Sequence, residues 1–557
     1  MNKPLVSIAT CVAALVAVLP VRAAHIPPAG CDGVAAANHR YEGVDGVADP
    51  NGDVRVYAIQ YKHEIRHVVS YGSFRTKMRC LVDELVMPTA DADNDAKADR
   101  PTIVAFNEDA GLATVATGTR GAPARAIAEF GPKDPDGITG ALASFAALAP
   151  TYAPAIAHYA LLEPDTSAQR LILAAATDTF VRGFMQVNAE IARDYGVYVV
   201  SSNNQAEFRE TGDPATVAAL ADPDLAAAYA AGERTTVFEA LDVPGEGEGR
   251  AGIDVYNQAW MWAPTDPPAD HPVQQRYAQL NGGALSDDDP RRNVIHVVRK
   301  TPLTAIEREV LDLSDDRDMS EANTGPFCLL EADDPTCRIK MGYGISLPSF
   351  KWGGPGRGGE PFGTPLDEDV DPCEVPETWM RCLDYRAVNL FLQPEANPGR
   401  WGDYIDLSWN PPALQSLSWL DSAWRAVADP TVVNIRYAVT PHLVGNLVDL
   451  TFDGQSVILE RCLPTDTGDT CDGNTARTFV GASTFQPCAA GQTRCDDPLL
   501  EPYTGLKREV IALAPWVMDD ADREALAART QAMQAGTGST YENEYLETAI
   551  WADLDFD

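Results

Sequence analysis

The sequence has 557 residues, of which 45% are hydrophobic, enough for one large or two medium domains with a buried core. Its formal net charge of -38 at pH 7 argues against nucleic acid or an anionic membrane as a partner, because both are bound through clustered Lys and Arg side chains. We attribute the acidic excess to solubility.

The first 23 residues have the composition of an export signal. Lys3 gives a positive start, residues 5–19 form an apolar core too short to span a bilayer, and Val21-Arg22-Ala23 offers a cleavage site. Residues 24–53 follow as an N-terminal arm, and no later stretch is long and apolar enough for a membrane span. We therefore expect a secreted or periplasmic protein.

A βαβ unit is predicted at the start of the main domain, which we place at residues 54–516. Residues 54–60 and 102–106 have the pattern of strands, and apolar side chains at helical spacing over 74–85 indicate a helix, with Ser73 as its N-cap. The second strand leads directly to Glu108. The carboxyl ends of strands are where open α/β sheets bind their ligands.

Two segments interrupt the later alternation of helices and strands. Residues 111–176 are rich in Ala, Pro and Gly and indicate an inserted helical cap, and residues 203–250 form a polar insertion. Further strands are predicted at 196–201, 253–262, 294–298, 388–392, 432–439, 455–459 and 508–516, and further helices at 180–191, 414–427 and 519–533. A cysteine-rich loop at 462–495 precedes the last strand, and residues 517–557 are predicted to be a C-terminal helix and a polar tail.

One short motif offers a metal site. His63-Glu-Ile-Arg-His67 fits the zinc-peptidase pattern, in which two imidazoles one helical turn apart bind zinc and the glutamate activates water. The segment follows a strand within a few residues, and the nearest third ligand, Glu84, belongs to a different helix. We favour a solvated connection and keep a zinc peptidase built on His63, Glu64 and His67 as an alternative.

The acidic segment 91–99 has oxygen ligands at alternate positions, as calcium loops do. It lacks the turning glycine and the final bidentate glutamate of those loops. This pattern favours a solvated acidic loop.

The cysteines narrow the choice of a nucleophile. Three pairs lie close in sequence and predict local disulfides in an oxidising compartment: Cys328 with Cys337, Cys462 with Cys471, and Cys488 with Cys495. If Cys11 is removed with the export signal and Cys31 pairs with Cys80, only Cys373 and Cys382 remain. Cys382 falls on the inner face of a helix opened by Pro376. Cys373 is then a spare thiol at a helix N-terminus, where amide groups and the helix dipole stabilise a thiolate. A disulfide at Cys373 is the other interpretation.

Three residues suited to acyl transfer lie near predicted strand ends. Glu108 and Lys300 each follow an apolar strand, and Cys373 stands in a loop before a helix. A carboxylate takes the thiol proton, the cysteine attacks an electrophilic carbon, and the ammonium stabilises the developing negative charge. We expect one sheet edge to gather them.

Taken in order, these segments resemble the nitrilase, or carbon-nitrogen hydrolase, superfamily over about residues 54–516. Val104-Ala-Phe-Asn-Glu108 is similar to the strand that carries the family's general base. The strand with Asn257, followed by Lys300 and Glu307, resembles the part that carries its lysine and second glutamate. Cys373, with Arg381-Cys-Leu and 387–394 after it, matches the nucleophile, its helix and the next strand.

The resemblance implies an α/β fold, a four-layer α-β-β-α sandwich, with the two insertions and the disulfide-rich C-terminal loop added to it. It implies a homodimer or larger homo-oligomer. It also implies a thiol hydrolase that cleaves the carbon-nitrogen bond of a small nitrile or amide without a metal or other cofactor. Cys373 is the implied nucleophile, Glu108 the base and Lys300 the cation.

Three accessory residues complete this prediction: Glu307, Asn257 and the backbone N–H of Glu374. Glu374 follows Cys373 where nitrile-specific members of the family have tryptophan, so nitrile and amide substrates both stay open. From a different class, a catalytically inactive secreted binding protein on the same scaffold is the alternative.

Overall fold

The computed structural model describes most of the main domain. The described residues are 31, 46–130, 138–243, 252–315, 319–329, 336–353, 365–367, 369–398, 404–405, 413–448, 450–452, 454–465, 468–469, 471, 508–514 and 545–556. The export signal, the helix predicted at 519–533 and the pair Cys488 and Cys495 lie outside them. Within the described part, no helix has the length and apolar character needed to cross a bilayer.

Short strands make up most of the framework. In chain order, β1 to β22 are Gly46–Val47, Val54–Gln60, Lys62–His63, Thr102–Ala105, Tyr198–Ala206, Phe208–Thr211, Val237–Ala240, Val255–Trp262, Val294–Arg299, Phe327–Leu329, Ile339–Tyr343, Leu390–Leu392, Tyr404–Ile405, Ala413–Leu414, Tyr437–Thr440, Val444–Leu447, Leu450–Phe452, Val457–Glu460, Pro464–Thr465, Gly468–Asp469, Val510–Leu513 and Thr548–Leu554. Two large sheets use thirteen of these strands.

The first large sheet has seven strands in the order β1-β22-β2-β4-β5-β8-β9. Strands β2, β4 and β5 are parallel, so their carboxyl ends share one edge. Strands β5, β8 and β9 are antiparallel, and Gln258 near the start of β8 pairs with Arg299 at the end of β9. The start of β8 and the end of β9 therefore lie at the same edge as the carboxyl end of β4.

The second large sheet has six strands in the order β10-β11-β12-β15-β18-β21. Strands β11, β12 and β15 are parallel. The segments that follow Tyr343, Leu392 and Thr440 therefore leave this sheet at one edge.

The helices cover the outer faces of both sheets. The α-helices are Tyr71–Leu85, Met87–Ala90, Gly118–Phe130, Thr139–Ala146, Ala153–Leu162, Ala168–Ala175, Thr177–Phe180, Gln186–Tyr195, Pro214–Leu220, Ala226–Ala230, Pro272–Leu280, Glu321–Thr324, Trp379–Tyr385 and Gln415–Ala428. Single turns of 3₁₀ helix are Ile65–Val68, Leu112–Ala116, Pro223–Leu225, Leu347–Phe350 and Pro376–Thr378, and Val181–Met185 and Ile306–Val310 are π-helical.

Two apolar clusters show how the layers stack. Alternate residues of β2 such as Val56 and Ala58 pack with Met341 and Phe391 of the second sheet. Their neighbours on the other face, such as Tyr57, pack instead with the helices Tyr71–Leu85 and Gln186–Tyr195. The helices Trp379–Tyr385 and Gln415–Ala428 join the first cluster from the far side of the second sheet. The predicted four-layer α-β-β-α sandwich is confirmed.

The first insertion is helical as predicted, because the described residues between Leu112 and Ala175 form one 3₁₀ turn and four α-helices. The second differs from the prediction. Strand β5 continues to Ala206, and β6 pairs with β7 as a small antiparallel sheet. The helix at 74–85 begins earlier than expected, since Ser70 rather than Ser73 is its N-cap and the two form a reciprocal capping box.

The prediction of a polar tail at the C-terminus is wrong for residues 548–554. They form β22, which lies inside the first sheet, parallel to β1 and antiparallel to β2. Six of its seven residues are buried. Its sequence, Thr-Ala-Ile-Trp-Ala-Asp-Leu, has the mostly apolar composition of a strand covered on both faces.

Candidate active site

A buried lysine between two carboxylates forms the centre of the site. Lys300, directly after β9, places Nζ 2.6 Å from Glu108 Oε1 and 2.9 Å from Glu307 Oε2. Glu108 follows β4 by three residues, and Glu307 lies on the π-helical turn Ile306–Val310. The expectation that Glu108 and Lys300 meet at one sheet edge is confirmed.

Asn257 holds the two carboxylates in place from the start of β8. Its Nδ2 donates to Glu108 Oε1 at 2.7 Å and to Glu307 Oε1 at 2.6 Å. The backbone N–H of Ala396, from the second sheet, donates to Glu108 Oε2 at 3.1 Å. Thr304 donates to Glu307 Oε2 through its N–H and its hydroxyl. Each buried charge therefore has several partners, as burial in a low dielectric requires.

The charges of this cluster follow from its geometry. Burial alone would lower the pKa of Lys300, but the two carboxylates outweigh burial and raise it, so the lysine is an ammonium. Burial, aided by Glu307, raises the pKa of Glu108 above the ordinary value. Burial acts on Glu307 in the same direction, but Lys300 and the bonds from Thr304 lower its pKa overall. Glu108 is therefore the better proton acceptor of the two.

A serine with an unusual backbone follows strand β11. Ser346 has φ 55° and ψ -109°, a conformation that costs a non-glycine residue roughly 1–3 kcal/mol. Its N–H donates to the Pro394 carbonyl at 3.1 Å, and its own carbonyl accepts from Ser349 Oγ at 2.5 Å. These bonds hold the turn in a geometry that the chain would not otherwise adopt.

Glu395 connects Ser346 with the charged cluster. The fully buried Glu395 directly follows Pro394, whose carbonyl accepts from the Ser346 N–H, and its carboxyl accepts from Gln393 Nε2 at 2.6 Å. Burial, followed by repulsion from Glu108, raises the pKa of Glu395 well above its usual range. Its other oxygen, Oε2, has no hydrogen-bond partner among the described residues. The site thus adds a carboxyl with a raised pKa and a serine hydroxyl to Lys300 and the two glutamates.

Asp109 is a second neutral acid beside Glu108. Burial, reinforced by Glu108, raises the pKa of Asp109 well above its usual range. Asn204 Nδ2 donates to its Oδ1 at 3.1 Å, and its own N–H donates to Ser202 Oγ. Asp109 has φ 58°, so the turn that presents Glu108 is also in the left-handed region.

The prediction of a free thiol at Cys373 is wrong. Cys373 forms a disulfide with Cys382, with a Cα–Cα distance of 4.8 Å. Cys382 lies on the helix Trp379–Tyr385, nine residues on, so the loop folds back onto the helix face that carries it. A disulfide sulfur has no thiolate to offer as nucleophile. The predicted role of the Glu374 N–H fails with it, because that group donates to the Asp371 carbonyl within the same turn.

Three other cysteine pairs form the disulfides that the sequence predicts. The pairs Cys31–Cys80, Cys328–Cys337 and Cys462–Cys471 are confirmed. Every cysteine of the described part is therefore in a disulfide.

Ser346 and Glu395 are the site residues that the sequence reasoning missed. The signal for Ser346 is present in Ile339-Lys-Met-Gly-Tyr-Gly-Ile345, an apolar strand that ends at a Ser-Leu-Pro turn. Glu395 lies three residues after β12, in Gln393-Pro-Glu395, and the sequence predicts that strand correctly. A serine in a turn has no distinguishing pattern in sequence, whereas a cysteine before a helix, as at Cys373, matches the pattern of an activated thiol.

The zinc alternative is wrong. His63 belongs to β3, while His67 lies on the 3₁₀ turn Ile65–Val68, so the two imidazoles do not share an α-helix. Burial, followed by Lys77, lowers the pKa of His63 to about 4. Within the described ranges, the one group of three side chains with suitably close ligand atoms is Asp91, Asp93 and Asp99 in the acidic loop, whose oxygens lie within 4.8 Å of one another.

Comparison with solved structures finds similar folds at low sequence identity. A variant of the amidase from Nesterenkonia sp. AN1 in complex with acrylamide is 12% identical, with a TM-score of 0.32 over 74% of this chain and 86% of that one. Another variant, described as an amidase from the nitrilase superfamily, is 12% identical, with a TM-score of 0.30 over 73% and 84%. Nit3 of Saccharomyces cerevisiae, a member of branch 10 of that superfamily, is 10% identical, with a TM-score of 0.31 over 74% and 85%.

In sequence, no protein-family model and no curated protein matches this chain. The fold assignment rests on the two sheets and the helices packed against them.

Proposed function

We propose that this protein is a hydrolase that cleaves an amide-type carbon-nitrogen bond with Ser346 as nucleophile. The observation that carries the proposal is the strained backbone of Ser346 and its link to the buried charges: its N–H donates to the Pro394 carbonyl, and the N–H of Ala396, two residues on, donates to Glu108 beside Lys300. Strain of this kind persists where the surrounding structure holds it, and it concentrates at active sites.

The buried charges favour a catalytic role over a structural one. An ammonium and two carboxylates lose their hydration on burial, and apolar residues of similar volume would stabilise a fold equally well or better. Residues with shifted pKa values that gather at one sheet edge are typical of catalytic groups. The cluster therefore supports a reaction in which charge develops at a fixed point.

The proposed reaction has two steps. Ser346 Oγ attacks the carbonyl carbon of the amide while Glu108 takes its proton, and the Lys300 ammonium stabilises the oxyanion. Glu108 then returns the proton to the leaving nitrogen, which departs as ammonia or an amine and leaves an ester on Ser346. Water, deprotonated by Glu108, hydrolyses the ester and releases the acid. The proton taken from this water then passes from Glu108 to Ser346 Oγ, which restores the free hydroxyl.

A screen for ammonia release tests the proposal with primary amides, nitriles and N-carbamoyl compounds as substrates. We expect turnover of at least one primary amide, a loss of at least a thousandfold in kcat/KM in Ser346→Ala, and a similar loss in Glu108→Gln. Ser286→Ala, which removes a hydroxyl far along the chain from this turn, is the matched control and should keep full activity. Turnover retained by a folded Ser346→Ala protein would reject Ser346 as the nucleophile.

A non-catalytic binding protein is the second candidate, and one observation favours it. The site offers a hydroxyl in place of a thiol, and a carboxylate deprotonates a hydroxyl far less readily than a thiol with a pKa of about 8.5. If this candidate holds, amides bind the wild-type protein at a 1:1 ratio without ammonia release, and Lys300→Met abolishes the binding.

We also propose that the protein is exported and assembles as a homo-oligomer. The four disulfides among the described residues support export, because such bonds persist in oxidising compartments. Fractionation of the native host and light scattering of the purified protein test the two points.

A further inference from the structure

A second feature of the molecule is an apolar cavity of about 130 Å³ against the inserted helical segment. On one side it is lined by the helices Gly118–Phe130 and Thr139–Ala146 of the insertion. Its lining is aliphatic and aromatic apart from the hydroxyl of Ser144, which is buried and has no hydrogen-bond partner among the described residues.

The other side of the cavity is lined by segments that also carry residues of the charged site. Leu112 lies four residues after Glu108, and Ile306 and Val310 come from the same π-helical turn as Glu307. Leu447, another lining residue, is the last residue of β16. This strand comes directly after β15 in the chain, where the chain leaves the second sheet. The segments that carry the charged residues therefore continue into the wall of the cavity.

The cavity opens to solvent between two apolar side chains. Leu142 of the insertion and Ile306 are 42% and 38% exposed, whereas deeper lining residues such as Ala113 and Leu148 are almost fully buried. A dry apolar cavity of roughly 150 Å³ is large enough to hold benzene. This cavity therefore has room for about six carbon atoms.

We propose that this cavity binds the apolar group of the substrate, an unbranched aliphatic or phenyl group of about six carbons. The proposal rests on the amide hydrolysis proposed above and names its substrate class. Ser144 permits one polar atom at the far end of the group. Apolar burial contributes about a fourfold gain in binding per methylene, so the four extra methylenes of hexanamide over acetamide give up to roughly 200-fold.

The turnover experiment compares acetamide with hexanamide. We expect the wild-type protein to have a kcat/KM at least 30-fold higher for hexanamide. Leu142→Asp, a change at an exposed position that puts a charge at the mouth, should lower the hexanamide value at least tenfold and leave acetamide within twofold. Leu161→Asp is the matched control, since Leu161 is 84% exposed on the same insertion and does not line the cavity. It should leave both substrates unchanged.

The binding experiment uses calorimetry on Ser346→Ala protein, which does not consume the amide. Hexanamide should bind at least tenfold more tightly than acetamide, and Leu142→Asp and the cavity-filling Ser144→Leu should each remove that preference. If hexanamide binds more tightly than acetamide but the wild-type protein hydrolyses neither amide, the proposed function is rejected and the cavity remains a binding site. Equal binding of both amides, or no binding because a segment of the chain fills the cavity, would overturn the proposal. If hexanamide binds tightly but kcat/KM is the same for acetamide and hexanamide, the cavity does not bind the apolar group of the substrate during the reaction.

Discussion

Lys300 shows how single side chains set the electrostatics of the site. Its ammonium is held between Glu108 and Glu307, and Asn257 ties both carboxylates from the other side. Removal of one partner from a buried ion pair leaves the other charge uncompensated and typically costs about 3–5 kcal/mol. Burial in the same arrangement, with Glu307 beside it, raises the pKa of Glu108, which makes its carboxylate a stronger proton acceptor.

Glu395 is expected to make the protein less stable as the pH rises. Because burial and Glu108 raise its pKa in the folded state, the folded protein binds a proton that the unfolded chain has lost. Stability attributable to Glu395 is therefore present below its unfolded pKa of about 4.3 and falls as the pH rises toward the folded value. Glu395→Gln mimics the neutral form, so we expect it to raise the free energy of unfolding at pH 7 by about 1–3 kcal/mol.

Urea denaturation of the two proteins at pH 4 and pH 7 measures this difference. The gain in unfolding free energy from Glu395→Gln should be smaller at pH 4, because the wild-type carboxyl is largely protonated there in both the folded and the unfolded protein. Glu374→Gln removes an exposed carboxylate and serves as the control, with an expected change within about 0.5 kcal/mol. A gain of equal size at both pH values would show that the effect does not come from ionisation.

At the scale of elements, the loop and helix around Cys373 stabilise the fold and lie apart from the reaction. The segment forms a 3₁₀ turn at Pro376–Thr378 and then the helix Trp379–Tyr385, whose inner face packs against the second sheet. The disulfide joins the loop to that helix. A closed loop of this length stabilises a protein by about 2–3 kcal/mol through the entropy of the unfolded chain.

The double variant Cys373→Ser/Cys382→Ser tests this assignment. We expect it to lose about 2–3 kcal/mol of unfolding free energy and to keep amide turnover within twofold, because sulfurs joined in a disulfide supply no thiolate to the reaction. Urea denaturation and ammonia release give the two values. If the variant stays folded but loses turnover, these cysteines take part in the reaction after all.

At the scale of the whole molecule, the last described strand holds the first sheet together. Strand β22 forms seven pairs with β2 and separates it from β1. Asp553 makes a bidentate ion pair with Arg55, and Glu547 pairs with the buried Lys77. The two ends of the described chain are therefore neighbours in one sheet.

Removal of residues 546–557 is expected to prevent folding. The truncation exposes the edge of β2 and leaves Arg55 and Lys77 without their acidic partners. Together these losses exceed the free energy of unfolding of a typical domain, which is roughly 5–15 kcal/mol. Circular dichroism and the solubility of the truncated protein measure the outcome. Asp553→Asn keeps the strand and weakens one ion pair, so this control should fold with a smaller loss. A truncated protein that unfolds cooperatively like the wild type would contradict the role of β22.

Local patterns predicted the elements of this fold, and residues distant in sequence decided the details. Strand 54–60 and the helix at 414–427 have clear periodicity and were placed within a residue or two. The sequence predicts a tail for Thr548–Leu554, because this short apolar run stands among polar residues in the sequence. Whether such a run is a strand depends on a partner, here β2, almost 500 residues away.

The sequence by itself determined the disulfides Cys328–Cys337 and Cys462–Cys471 and the position of Glu108 and Lys300 at strand ends, because each depends on close spacing or local periodicity. The α-β-β-α layering was implied by the resemblance of several segments to a known family, and the pairing of Cys31 with Cys80, 49 residues apart, was a condition of the sequence argument. Only the tertiary structure decided that Cys373 pairs with Cys382 and that Ser346 stands beside Glu395. A disulfide and a strained turn depend on the distance and direction between Cα–Cβ bonds in space, and residue order alone does not fix these.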